Sequence, residues 1–235
     1  MISYATLKKK PKDLLALTGL ARREFDELLP VFEQTLPKPR KRRKRRQRAP
    51  GGGRRLALPT VADKLLFILV YTKMYPIQAV QAQLFGMSQP SVNRYTRQLL
   101  PVLAQALDGL GVMPEREGQE VARHERRQGE ANDLIVDGVE RRRQRPKHRE
   151  IQAIHYSGKK KTHSDKNMVV VNTQTKRVSF LSQTLPGSVH DKKAADHAAI
   201  RYPRNATLRS DLGLQGYAPA VREHLQPKKN PRTRS

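Results

Sequence analysis

The sequence contains no cysteine among its 235 residues, so it can form neither a disulfide framework nor a thiolate zinc site. It also lacks a run of about 18 apolar residues, the length that a membrane-spanning helix requires. The N-terminal stretch MISYATLKKKPKD has no apolar segment typical of a secretory signal. These absences argue against a disulfide-rich secreted domain and a membrane protein, and we expect the chain to reside in the cytoplasm.

Negative charge is scarce. The chain has 21 Asp and Glu residues against 47 Lys and Arg residues, which leaves a net charge of +26. Repulsion of this size opposes compaction and indicates a polyanionic partner, most often nucleic acid. Aromatic residues make up only 5% of the chain, which counts against an RNA-binding protein that stacks bases on aromatic rings. We therefore favour double-stranded DNA as the partner and keep RNA as a weaker alternative.

The first 58 residues divide into a helical segment and a basic linker. Within residues 1–37, the apolar spacing from Ala21 onwards predicts an amphipathic helix, with a break before it at Thr18 or Gly19. Residues 38–58 begin with nine basic residues in eleven positions and continue into a glycine run. Such a stretch cannot bury a core, so we predict a flexible tether that either contacts phosphates loosely or is merely solvated.

Residues 59–108 have the pattern of a helix-turn-helix. Thr60 is a plausible N-cap for a buried helix, IQAVQAQLFG predicts a short helix ended by Gly86, and a third helix begins near Ser88 with Pro90 in its first turn. In a DNA-reading motif the start of the last helix faces base edges, although ordinary helical hairpins share this pattern. The candidate DNA-binding residues are Ser91, Asn93, Arg94 and Arg97. Residues 109–130 are predicted to form a polar connection.

From Leu134 onwards the sequence changes to β-rich periodicity. LIVDG predicts a strand, and MVVVN and VSFLSQT predict a hairpin that turns at Thr173–Lys176. HDKKAADHAAI predicts a helix, TLRSDLG a strand and PAVREHL a helix. The order β-β-β-α-β-α over residues 131–235 indicates a mixed α/β domain.

Two aspartates share one setting in this second half. Asp137 closes LIVDG before a glycine turn, and Asp211 closes ATLRSDLG. If the two strands are neighbours, both carboxylates emerge at one end of the sheet, where sites form in open α/β folds. Paired carboxylates favour Mg²⁺ or Mn²⁺, which would activate a phosphodiester for in-line attack. The alternative is that both residues only form turns.

Other polar residues near these strands have less specific signals. His190 and the histidines around it have no recognisable zinc spacing. Asp191 is expected to be a helix N-cap first and a residue near the site second. The basic residues predicted to bring DNA phosphates to the site are Arg141, Arg142, Arg143, Lys159, Lys160 and Lys161.

Four motifs in order, DGVERRRQRP, HYSGKKKTHSDKN, LPGSVHDKK and SDLGLQGY, resemble the catalytic domain of a DDE-superfamily transposase. The branch is the Harbinger-related bacterial insertion-sequence group, often placed in insertion-sequence family five. LTGLARREFDELLPVFE and the helices of residues 59–108 resemble the helix-turn-helix leader of that family.

This resemblance implies a ribonuclease-H-like fold and a metal-binding Asp-Asp-Glu triad that nicks transposon ends and joins them to target DNA. The first acid carries over onto Asp137 and the second onto Asp211, while the aspartate of PGSVHD, Asp191, lies near the site in the family. The resemblance also implies a homodimer and a nucleoid-associated protein in a bacterial cytoplasm.

One feature departs from the family. Its third acid is a glutamate on a helix well downstream of SDLGLQGY, and Glu223 is too close to Asp211 to correspond to it. We therefore expect an all-helical helix-turn-helix region followed by a mixed-sheet, ribonuclease-H-like domain that lacks its last helices and leaves one sheet face uncovered. Such a chain would be a truncated, inactive copy. The alternative is a non-catalytic DNA-binding protein that occupies transposon ends and inhibits intact transposase.

Overall fold

The computed structural model describes residues 1–37, 56–128 and 133–228. The chain divides into two compact units, Met1–Val112 and Met113–Ser235. Most of the predicted basic linker, residues 38–55, lies outside the described residues, so its flexibility stays a prediction. None of the helices in the described ranges combines the length and apolar character needed to cross a membrane.

The described part of the first unit is helical, as the sequence predicts. Gly19 ends the second helix in a left-handed conformation at φ 76°, and Gly86 ends the fifth at φ 60°. Thr60 caps the fourth helix, because its Oγ1 accepts a hydrogen bond from the Asp63 N–H at 3.0 Å. The helices are α1 (Tyr4–Leu7), α2 (Pro11–Thr18), α3 (Arg22–Thr35), α4 (Val61–Met74), α5 (Gln78–Phe85) and α6 (Gln89–Gly109).

One hydrophobic core joins the N-terminal helices to the predicted helix-turn-helix. Phe25 and Phe32 of α3 are fully buried, as is Phe67 of α4, and Phe85 of α5 is 2% exposed. Burial of each such ring contributes about 1.5–3 kcal/mol. Helices α1–α3 therefore hold α4–α6 in place.

The second unit is a mixed sheet with helices, consistent with a ribonuclease-H-like fold. Strand order is β2-β3-β1-β6-β7, with β4 and β5 also paired to β3. β1 is antiparallel to β3 and parallel to β6, which is in turn parallel to β7. The elements are α7 (Val121–Gln128), β1 (Asp133–Arg142), α8 (Arg149–His155), β2 (Tyr156–Ser157), β3 (Thr162–Asn172), β4 (Val178–Leu181), β5 (Leu185–Pro186), α9 (Asp191–Ala198), β6 (Thr207–Ser210) and β7 (Glu223–Leu225).

The predicted helix over PAVREHL is wrong. Residues 223–225 form β7, which pairs with β6 in the register Thr207↔Glu223. Backbone pairing with an existing strand outweighs the weak helical propensity of so short a segment. The predicted hairpin is confirmed, because β3 and β4 are antiparallel and flank the turn at residues 173–177.

The predicted glycine turn after Asp137 is also wrong. β1 continues through Gly138 to Arg142, because β3 extends back to Thr162 and pairs along the whole length, with Asp137 opposite Val169. Asp137 therefore lies in the middle of a strand. A partner strand supplies ladder hydrogen bonds that a local Asp-Gly signal cannot reveal.

The two faces of β1 have different surroundings. Leu134 and Val136 are completely buried in a core that includes Ala194 of α9. Ile135 and Val139, on the opposite face, are 40% and 44% exposed. The alternation of period two places Asp137 on the exposed face and Gly138 on the face that α9 covers.

Candidate active site

Asp137 and Asp211 occupy neighbouring positions just past the point where the parallel pairing of β1 and β6 ends. β1 and β6 pair in the register Val136↔Ser210, and the next residue on each chain segment is one of the two aspartates. Parallel strands place their carboxyl ends at one sheet edge. The expectation that the two strands are neighbours is therefore confirmed, whereas the role of the two aspartates is a separate question.

Each of these carboxylates has one oxygen held by the backbone. The Gly138 N–H donates to Asp137 Oδ1 at 2.7 Å, and the Gly213 N–H donates to Asp211 Oδ1 at 2.9 Å. Both aspartates are exposed, and neither forms an ion pair within the part of the chain that the structure describes. In a chain with a net charge of +26, two adjacent acids without a basic partner in the described ranges are unusual. Their second oxygens are available to a cation.

Asp191 lies at the start of α9, one residue after the N-cap. The predicted N-cap role of Asp191 is wrong: His190 is the N-cap, and its Nδ1 accepts from the Lys192 N–H at 3.3 Å. The Asp191 carboxylate instead lies between two glycines. A Cβ on Gly138 would stand 2.9 Å from Asp191 Oδ1, and one on Gly213 would stand 2.7 Å from Oδ2. Only glycine permits so close an approach at either position.

Asp191 and Asp211 flank the same glycine. The position of a Cβ on Gly213 is 2.7 Å from Asp191 Oδ2 and 3.1 Å from Asp211 Oδ1, so the two oxygens are no farther apart than the sum of these distances. Asp191 is therefore near the candidate site, as the resemblance implies, and belongs to its immediate surroundings.

A buried lysine neutralises Asp191. Lys166 Nζ donates to Asp191 Oδ1 and to the Val189 carbonyl oxygen, both at 2.6 Å, and lies 3.4 Å from Glu140 Oε1. The side chains of Lys166, Asp191 and Glu140 are only 4%, 12% and 7% exposed. Burial raises the pKa of Glu140, but hydrogen bonds from Ser157 and Ser164 and the charge of Lys166 outweigh it, so the pKa lies below its usual value. Glu140 therefore stays ionised at neutral pH.

Sequence reasoning missed this buried ion cluster. Its signal was present in the period of two along each strand. Extending the buried series of β3 back from Val170 and Met168 reaches Lys166, and extending that of β1 forward from Val136 reaches Glu140. Two opposite charges on the buried faces of neighbouring strands predict a pair.

No third ligand joins the two exposed aspartates within residues 1–37, 56–128 and 133–228. These ranges contain no group of three His, Cys, Asp or Glu side chains placed to hold a metal ion. Glu223 lies opposite Thr207, at the start of β6, whereas Asp211 follows the end of that strand. That Glu223 is not the third acid stays a prediction.

The basic residues predicted to contact DNA near the site differ in their existing partners. Arg143 donates to Asp165 at 2.9 Å and Arg141 to Asn167 at 3.1 Å. Lys159 Nζ is 3.6 Å from Asp191 Oδ2. The remaining predicted residues, Arg142, Lys160 and Lys161, are exposed.

The predicted DNA-reading residues share the first turns of α6. Ser91 lies beside Ser88, with their hydroxyl oxygens 3.0 Å apart, and Asn93 is half-buried. Arg94 and Arg97 are exposed three residues apart, and the Arg94 guanidinium lies 5.5 Å from the centre of the Tyr95 ring. Side chains at this spacing lie on one side of a helix. The start of α6 therefore carries two exposed arginines on one side.

Family comparisons agree with both parts of this description. Residues 57–109 match the family described as helix-turn-helix of DDE superfamily endonuclease, and residues 136–213 match the family described as DDE superfamily endonuclease. The chain belongs to the DDE superfamily of transposase-like endonucleases. No curated protein and no solved structure matches it.

The boundaries of the two matches coincide with structural features of this DDE endonuclease. The first match covers α4, α5 and α6. The second begins one residue before Asp137 and ends two residues after Asp211, so it contains both exposed aspartates and Asp191. A DNA-binding helical region thus precedes an endonuclease region in one chain.

Proposed function

We propose that the protein is a transposase of the Harbinger-related insertion-sequence type, which cleaves transposon ends and transfers the cut strands to target DNA. Asp137 and Asp211 are proposed to hold Mg²⁺ or Mn²⁺. The parallel register of β1 and β6 is the observation that carries this proposal, because it brings the two aspartates to adjacent positions.

The donor set suits a hard divalent cation. Both side chains offer carboxylate oxygens, and each keeps one oxygen that no residue of the described ranges engages. Two adjacent carboxylates repel each other, and a cation between them removes that repulsion. When bound, the metal would supply Lewis-acid activation of the scissile phosphodiester.

Asp191 is proposed to position the site rather than to bind the cation. Its carboxylate already accepts a hydrogen bond from Lys166. It also lies against Gly138 within β1 and Gly213 just after β6. The Gly138 and Gly213 amides donate to the candidate ligands Asp137 and Asp211. Fixing these two glycines therefore orients both ligands, which phosphoryl transfer requires.

Two basic regions are proposed to bind the DNA that is cleaved at this site. Arg94 and Arg97 on α6 read the transposon end, together with Ser91 and Asn93. The turn between β2 and β3, which carries Lys159, Lys160 and Lys161, contacts phosphates near the cleavage site. Because two ends must be held for joining, we propose a homodimer that works at the bacterial nucleoid.

The test is cleavage of duplex DNA that carries the sequence flanking the gene, with Mg²⁺ or Mn²⁺ present. Asp137→Asn and Asp211→Asn should each abolish nicking and retain DNA binding. Asp196→Asn is the matched control, because Asp196 is an exposed acid of α9 in an ion pair with Lys192. Nicking that persists in both aspartate variants would refute the assignment of the site.

A second candidate function is DNA binding without catalysis, in which the protein occupies transposon ends and inhibits intact transposase. The observation that favours it is that no group of three His, Cys, Asp or Glu side chains in the described residues is placed to hold a metal ion. This candidate predicts binding to end DNA with metal chelated and no nicking by the unaltered chain. Deletion of residues 59–108 should then abolish sequence-specific binding, and its persistence would contradict this candidate.

A further inference from the structure

A cavity of about 640 Å³ lies in the second unit, between α7 and the segment that leads into β6. Its size is within the range of small-ligand sites. Apolar groups contributed by Ile200, Tyr202 and Pro203 form much of its wall. The other lining residues are Ala122, Arg126, Arg201, Arg204, Asn205 and Ala220.

Three arginines line this cavity and have no acidic partner in the part of the chain that the structure describes. Arg126, Arg201 and Arg204 are exposed, and none of them forms an ion pair with a residue in the described ranges. The described lining contains no Asp or Glu. Arg126 Nε donates to the Ala122 carbonyl oxygen at 3.1 Å, which leaves both of its terminal nitrogens available.

Neighbouring arginines on α7 provide a contrast. Arg123 lies 3.4 Å from Glu120, and Arg127 lies 3.7 Å from Glu115. The two α7 arginines that do not line the cavity therefore have acidic partners, whereas Arg126, which lines it, has none in the described ranges. Guanidinium groups bind phosphate oxygens through paired N–H donors.

The cavity is separate from the candidate active site. Its lining residues 200–205 precede β6, whereas Asp211 follows that strand. β6 has four residues, and a rise of about 3.3 Å per residue puts its first and last Cα atoms about 10 Å apart. A ligand in the cavity would thus contact the opposite end of the sheet from the two aspartates.

Tyr202 remains a neutral, apolar surface of the cavity. Burial, together with the neighbouring Tyr217, raises the pKa of Tyr202 well above its usual value. Its hydroxyl lies 3.4 Å from that of Tyr217. The residue therefore brings no negative charge to the three arginines and offers ring carbon to a sugar or base.

We propose that this cavity is a second DNA-binding site, in which the arginines hold successive phosphates of a strand and the apolar wall contacts a sugar or base. Three guanidinium groups without an acidic partner in the described ranges exceed what a single phosphodiester needs, and the net charge of +26 favours a long polyanion over a free nucleotide. This proposal rests on DNA as the partner but does not require cleavage. Binding is therefore measured with metal chelated, and its outcome does not depend on whether the proposed active site is correct.

The experiment measures the affinity of the full chain for a random-sequence duplex from 50 to 200 mM salt. Arg201→Gln/Arg204→Gln should make the negative slope of log K against log salt shallower by about 1.8, which is about 0.9 for each lost phosphate contact. The ratio of the duplex affinity of the unaltered protein to that of this variant should then fall about tenfold from 50 to 200 mM salt. Arg123→Gln/Arg127→Gln removes the same charge from paired arginines and should change the slope far less.

A second arm uses deoxyadenosine monophosphate as the competitor. At concentrations that do not displace the duplex from the control variant Arg123→Gln/Arg127→Gln, the mononucleotide should not displace the duplex from the unaltered protein either. Equal slopes in the two double variants would overturn the proposal. So would micromolar binding of the mononucleotide that depends on Arg201 and Arg204 while the duplex slope stays unchanged, because the cavity would then be a nucleotide site.

Discussion

Replacing Lys166 with methionine should destabilise the second unit by about 3–5 kcal/mol at neutral pH. The substitution keeps most of the apolar stem of the side chain and removes the ammonium group, with its charge and its hydrogen bonds to Asp191 and Val189. It leaves Glu140 and Asp191, whose side chains are 7% and 12% exposed, without their shared cation. Uncompensated buried charge is among the most destabilising changes known in proteins.

The magnitude follows from the geometry of the cluster. Lys166 Nζ lies 2.6 Å from Asp191 and 3.4 Å from Glu140. Coulomb's law with an effective dielectric constant of about 20 gives about 6 and about 5 kcal/mol for these contacts. Repulsion between the two carboxylates and the desolvation of all three groups offset a large part of this attraction, which brings the net cost into the stated range. Since the free energy of unfolding of a domain is only about 5–15 kcal/mol, a loss of this size should be easy to measure.

The pH dependence has a definite sign. The folded-state pKa of Glu140 is lowered, so its contribution to stability is complete above the ordinary glutamate pKa and is lost as the pH falls through the folded value. Methionine at position 166 removes the cation that helps to lower this pKa. The stability difference between the two proteins should therefore be largest near pH 7 and should shrink below about pH 4.

Amide hydrogen exchange in increasing urea, read on peptides that cover β1 and β3, isolates the second unit from the first. Lys192→Met is the control, because Lys192 and Asp196 form an exposed pair, with 40% and 47% of their side chains accessible, and the loss should stay below about 1 kcal/mol. If Lys166→Met costs no more than Lys192→Met, the buried cluster does not stabilise the sheet.

Two further changes test the active site and the DNA-reading helix. Gly213→Ala should abolish metal-dependent nicking without unfolding the chain, because the new methyl group would meet two aspartate carboxylates at 2.7 and 3.1 Å. Gly158→Ala meets nothing within 4 Å and should leave nicking intact, so loss in both variants would contradict a local effect. Arg97→Ala should weaken binding to end DNA by about 1–3 kcal/mol and relax base preference, measured with metal chelated. Gln105→Ala, farther along the same helix and exposed, should do neither, and equal losses would count against α6 as the reader.

The helical region was largely predictable because its signals are local. An N-cap hydroxyl at Thr60, a left-handed glycine at Gly86 and a proline in the first turn of α6 each fix a helix end through contacts within a few residues. The packing of α1–α3 onto the same core was beyond this reasoning. It depends on which apolar faces meet, and such pairing is not encoded at any single position.

The sheet was predictable only in part because strand limits depend on partners. The hairpin around Thr173–Lys176 has its turn residues in the sequence, and it formed as predicted. β7 did not, because residues 223–225 become a strand only when β6 offers an edge. Likewise β1 runs past Asp137 only because β3 accompanies it. Both predictions were wrong because pairing with a strand distant in sequence determined the structure.

The three aspartates at the candidate site differ in their chemistry because their surroundings differ. Asp191 is mostly buried and would be costly as a free anion, so a lysine neutralises it and it serves as a fixed contact for two glycines. Asp137 and Asp211 are exposed, and water can support their charge until a better partner arrives. Backbone amides hold one oxygen of each carboxylate and thereby limit its rotation. A cation that enters between them would meet two pre-oriented ligands, whereas Lys166 and Lys159 already engage both oxygens of Asp191.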